Sequence, residues 1–152
     1  MPLARRLVRR LGAFLVPAAA AVVLSACGSG ISLDEPIEGP VWRLVQLGDQ
    51  ALPPGREPQR DAQLQFDRAS GRVSGSGGCN RLTGSFTRAG SQLRIGQVAL
   101  TRMACLDAER NAGEVRFAQM LQTVAGYRLA SANELTLVDA EGRTLATLQG
   151  AR

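Results

Sequence analysis

Three cysteines carry most of the chemistry open to this chain: Cys27, Cys79 and Cys105. Cys27 closes the run Leu24-Ser-Ala-Cys27. Cys79 lies in Gly75-Ser-Gly-Gly-Cys-Asn80, and Cys105 ends Thr101-Arg-Met-Ala-Cys105. The last two can form a disulfide, hold part of a metal site, or supply a reactive thiol. A zinc site needs four Cys, His or carboxylate ligands, and the chain contains no histidine. A cysteine nucleophile needs a base and a group to orient it. Arg102 can stabilise a thiolate but cannot take up its proton. An oxidising compartment favours the disulfide. Closing a loop of this length would stabilise by roughly 3–4 kcal/mol in the chain-entropy account. The glycines at 75, 77 and 78 give a G-x-G-x-x-N spacing, and every basic residue is arginine, so a phosphate loop with its lysine is not present. Positive φ or close backbone approach at a strand bend explains these glycines better. Asn80, Thr101 and Arg102 flank the cysteines. They are expected to be polar residues supporting that bend, with ligand contact as the alternative. Neither a catalytic constellation nor a cofactor or metal set emerges from the sequence.

The amino end carries an address. Arg5-Arg-Leu-Val-Arg-Arg10 is a charged start, and Leu11 to Leu24 is an uncharged run. That run is shorter than the roughly 20 residues a membrane-spanning helix requires and suits a secretion signal. Leu24-Ser-Ala-Cys27 then matches the bacterial lipoprotein signal. Small residues admit the peptidase, the Cys27 thiol takes a diacylglyceryl group, and cleavage before it makes Cys27 the new amino terminus. The expectation is a signal over 1–26, a flexible tether over 27–40 and a single domain over 41–152. Three acyl chains on Cys27 would exceed the two signals that stable membrane attachment needs. By resemblance to enterobacterial lipoproteins, Gly28 rather than aspartate after the cysteine implies sorting to the outer membrane, with the domain facing the periplasm. The stretch 28–40 is rich in Gly, Ser, Pro and acid, a composition that buries too little to order itself.

The overall charge of +5 is misleading. Four of the 18 arginines lie in the signal, which leaves 14 against 13 acidic residues. A nearly neutral domain without a basic block is not a nucleic-acid binder.

The elements that must position the cysteines are mostly strands. Val41 to Leu47 alternates apolar and polar residues, with Trp42 as a core anchor. Gly48 to Arg60, rich in proline, reads as a long irregular loop. Strands are expected at 63–66, 72–76, 82–88, 92–95, 97–101, 127–131, 134–138 and 143–148, with the turn Asp67 to Gly71 after the second. Phe117, Met120, Leu121 and Val124 fall at i, i+3, i+4 and i+7 and predict one amphipathic helix. Asn111 with Glu114 suggests its capping box and Gly126 its end. Asp107, Glu109 and Glu114 read as the solvated acidic start of that helix. The fold class is α+β, mostly β: an antiparallel sheet of about eight strands curled into an open or partial barrel with one helix.

Trp42, the GSGGCN stretch at 75–80, the TRMAC stretch at 101–105, Glu114, the helix, Tyr127 and the Leu135/Leu137 strand together resemble the META/HslJ-like family. The resemblance covers roughly Val41 to Leu148. It implies an antiparallel half-barrel with a helix, similar to the pilotin lipoproteins of secretion systems. Many bacterial members are exported or lipid-anchored, and the family's biochemical function is mostly unknown. The expected role is therefore a lipid-anchored, non-enzymatic domain of the cell envelope. It would serve stress tolerance or envelope maintenance by binding a protein partner. The alternative is a lipid or small-ligand binder, with a groove between helix and half-barrel.

Overall fold

The computed structural model describes residues 36–103 and 105–151. The signal expected at 1–26, the acylation expected at Cys27 and the part of the expected tether up to residue 35 lie outside the described residues.

Among the described residues, nine strands and one α-helix follow in order. They are β1 (Val41–Leu47), β2 (Gln50–Ala51), β3 (Gln63–Asp67), β4 (Arg72–Ser76), β5 (Arg81–Ala89), β6 (Gln92–Leu100), α1 (Ala108–Leu121), β7 (Gly126–Ser131), β8 (Glu134–Val138) and β9 (Thr144–Ala151). All pairings are antiparallel. Neighbours run β2-β1-β3-β4-β5-β6-β7-β8-β9, and β1 also pairs with β9, so the sheet returns on itself. The ring is thin at one place. β6 and β7 meet in register only at Gln92 and Gly126, and α1 lies against β6. The result is the expected partial barrel, a ring parted on one side.

Alternation accounts for the strands. Trp42, Leu44, Leu64, Phe66, Val73, Leu82, Phe86, Leu93 and Ile95 point inward and are buried, while their neighbours mostly face out. From the helix side Phe117, Leu121 and Val124 complete the same core. The apolar stripe thus packs as core rather than lining a groove. A recess of about 260 Å³ remains between β1, β2 and α1, beside Leu44, Leu47, Leu52 and Phe117. Ligand clefts usually offer roughly 300–1,000 Å³, so this recess falls just below that range.

Several boundaries differ from the sequence reading. The body begins before Val41: Ile37 is fully buried, and the Trp42 indole Nε1 donates to its carbonyl at 2.7 Å. Residues 36–40 therefore belong to the domain, not to a flexible tether. The loop after β1 contains the two-residue β2 and a short 3₁₀ turn, Pro58–Arg60. The two strands expected at 92–95 and 97–101 are one, kinked at Gln97, whose φ of +53° accompanies a register shift against β5. Asn111 does not cap the helix. Asp107 does, its carboxylate accepting from the Glu109 and Arg110 N–H groups. Gly126 opens β7 rather than ending the helix, which stops at Gln122.

Candidate functional site

The turn between β4 and β5 and the segment between β6 and α1 come together as the sequence suggested. Cys79 and Cys105 form a disulfide with their Cα atoms 6.1 Å apart. Beneath it Asn80 is buried and fully used. Its Oδ1 accepts from the Thr101 hydroxyl at 2.9 Å and the Met103 N–H at 2.7 Å. Its Nδ2 donates to Glu114 Oε1 at 2.6 Å. Thr101 also accepts from the Arg81 N–H at 3.0 Å, and its own N–H returns to the Arg81 carbonyl. Of the three polar residues singled out, Asn80 and Thr101 therefore join the support of the bend. Arg102 is exposed and makes no hydrogen bond among the described residues.

The centre of the arrangement is Glu114, only 2% exposed. Its Oε2 accepts from the N–H groups of Cys79 at 3.0 Å and Asn80 at 2.6 Å, while Oε1 takes the Asn80 amide. No cation pairs with it among the described residues. Charge-assisted bonds of this kind are about twice as strong as neutral ones. They explain Gly77, where an added Cβ would collide with the Glu114 side chain. Gly78 answers a different need, holding φ at +115° so that the turn can present those N–H groups. The reading of Glu114 as part of a solvated helix start is thus overturned. One signal was available: 114, 117, 118 and 121 share one helical face, and all four residues are buried.

A second polar cluster, which sequence reasoning missed, lies at the other end of β5. Arg88 Nε donates to Glu38 Oε1 at 3.1 Å and its Nη1 donates to the Tyr127 hydroxyl at 2.8 Å, with both charged side chains 11% exposed. Burial disfavours the Arg88 charge, yet the bonds to Tyr127 and Glu38 outweigh it and hold the guanidinium pKa above its ordinary value. This cluster fastens residues 36–40 to the sheet.

Above the disulfide lies an open cleft of about 940 Å³. Its walls include Arg81, Arg110, Met103 and Leu106, with Cys79, Asn80 and Cys105 below. A general base must reach the proton it moves. Here both carboxylate oxygens of Glu114 are engaged in the support, which locks the β4–β5 turn to α1.

The family model for the META domain matches residues 35–152. The chain belongs to the META domain family. The match starts just ahead of the buried Ile37, in agreement with a domain that includes residues 36–40. Two solved structures share the META fold seen here. One, described as an NMR structure of the protein, is 26% identical with a TM-score of 0.56, covering 74% of this chain and 90% of its own. The other, an NMR structure of the protein from Burkholderia xenovorans, is 24% identical with a TM-score of 0.59, covering 76% and 83%. No curated protein matches the chain.

Proposed function

We propose that this META domain is a lipid-anchored, non-enzymatic module of the cell envelope that acts by binding a protein partner, in stress tolerance or envelope maintenance. Cys27 carries the acyl chains, and the outer membrane is the destination, with the domain facing the periplasm. One observation carries the binding reading: the polar residues beside the cleft, of which Asn80 and Glu114 are buried, are consumed in holding it. Glu114, Asn80 and Thr101 satisfy one another and the backbone, and no acid or base in the group is left free to act on a substrate. What the lock presents to solvent is a shaped surface.

Mass spectrometry of the exported protein tests the anchoring. A triacylated Cys27 at the amino end and one internal disulfide are expected; an unmodified Cys27, or two alkylatable thiols, would overturn it. Crosslinking from the membrane tests the partner. Turnover in a hydrolase screen, abolished by a single acid substitution, would return the protein to the enzymes. The small-ligand alternative retains one supporting observation, the 260 Å³ recess beside Phe117. Native mass spectrometry decides it: a stoichiometric small molecule would favour that reading, and an empty domain the partner.

A further inference from the structure

We infer that the cleft over the disulfide is the docking surface for an extended acidic segment of another protein, one that seats an apolar side chain on Met103 and Leu106. This rests on the partner-binding reading above and names its surface. The large apolar side chains exposed in the described residues are Met103 at 60%, Leu106 with essentially no cover, and Val115 at 43%. The first two line the cleft, and Val115 lies on the helix that follows them. Exposed apolar groups gathered beside polar walls mark interaction sites.

Charge selects the occupant. Arg60, Arg81 and Arg110 line the cleft, against one acid, Asp107, whose carboxylate is already bonded to the start of α1. Arg60 pairs with Glu57 at 2.8 Å on the open surface. Arg81 and Arg110 have no acidic partner among the described residues. Arg110 also sits in the first turn of the helix, where the dipole favours acids rather than bases, so its position gains nothing from local structure. An acidic ligand would gain from both arginines and from the dipole. The roughly 300–1,000 Å³ range of ligand clefts has this one, at about 940 Å³, near its upper end, with room for a short stretch of chain. Access is also favourable. Arg81 and Arg88 are seven positions apart on β5, about 23 Å along a strand. Arg88 holds Glu38, so the amino-terminal segment joins the body well away from the cleft.

The test uses the full-length protein in detergent micelles and two fluorescent peptides, one alternating Glu and Leu, the other Arg and Leu. The acidic peptide is expected to bind at least about tenfold tighter, a gap of roughly 1.4 kcal/mol. Raising salt should weaken it. Arg81→Glu with Arg110→Glu should remove that preference, and Leu106→Ser should weaken binding about threefold. Equal binding of both peptides, or no response to these exposed substitutions, overturns the inference. So does displacement of the peptide by glycerol phosphate, which would mark the cleft as a reader of lipid headgroups. In cells, a photoreactive residue replaces Leu106 in one strain and Ser70, on the β3–β4 turn, in another. A crosslink from position 106 mapping to an acidic, apolar-bearing segment supports the proposal. A crosslink from position 106 to a segment without that character sinks it. Crosslinks from position 70 alone sink this surface and leave the partner reading standing, whereas silence from both removes the partner reading itself.

Discussion

Glu114 and Glu38 sit at opposite ends of β5, both largely withdrawn from water, and the fold satisfies them in opposite ways. Glu114 receives three N–H donors from the β4–β5 turn and no cation. Glu38 is held by the Arg88 guanidinium, and its second oxygen has no partner among the described residues. The first arrangement is built from backbone groups whose positions depend on glycines and a disulfide, and it fixes one geometry. The second is an ion pair between side chains, which tolerates more adjustment and secures an arriving segment. A carboxylate that organises a loop is thus set apart from one that only moors it by the identity of its donors.

If that contrast holds, the largest loss comes from Glu114. Glu114→Ala strands three donors, and unmet buried donors cost about 1–3 kcal/mol each, so about 4 kcal/mol should disappear from the urea unfolding free energy. Glu114→Gln should fare little better, near 3 kcal/mol, because an amide nitrogen cannot accept and at least one donor stays unmet. A loss below 1 kcal/mol would dissolve the distinction between the two ends.

Next comes the staple. Replacing Cys79 and Cys105 together by serine should cost about 3 kcal/mol, read from the same unfolding curves with and without reductant. The variant's curve should not respond to reductant, whereas the native curve should fall toward it.

The ion pair is expected to matter less. Arg88→Met should cost about 2 kcal/mol by leaving Glu38 unpaired, and adding Glu38→Ala should recover part of that. Strict additivity in this cycle would mean the two side chains do not act as a pair. The raised Arg88 pKa keeps this contribution present at any pH below the ordinary arginine value, and it fades only in strong alkali as pH rises through the folded value.

The smallest effect is at the β3–β4 turn near that end. The Ser70 hydroxyl, with the Ala69 and Ser70 N–H groups, holds the Asp67 carboxyl below its ordinary range. A depressed acid stabilises above its unfolded pKa and loses that contribution as pH falls through the folded one. Acid titrations followed by circular dichroism should therefore run slightly flatter below about pH 4 in Asp67→Asn than in the native protein. Superimposable curves would remove Asp67 from the acid response.

Much of this was legible in the residues. Apolar spacing together with the turn residues between strands located β1, β3, β4, β5 and β8 nearly to the residue. The two cysteine stretches announced that they belong together. Other features left weak traces for physical reasons. Ile37 is a lone apolar residue among prolines, glycines and acids, and a single buried side chain produces no period. β2 is two residues long and has no period either. Asn111 looked like a cap because Asp107 offers the same chemistry four residues earlier, and only the fold decides which one meets free N–H groups. Glu114 was hidden by its charge: an acid on a buried helical face becomes intelligible once a turn of N–H groups is found opposite it.

The pairing of β1 with β9 sets Val41 beside Ala151 at the ends of an antiparallel ladder. A pull applied between those ends would open that seam one rung after another instead of shearing all rungs together. The domain is therefore mechanically soft when stretched between its ends, while a load applied at the amino end alone falls first on the Glu38–Arg88 mooring and the buried Ile37.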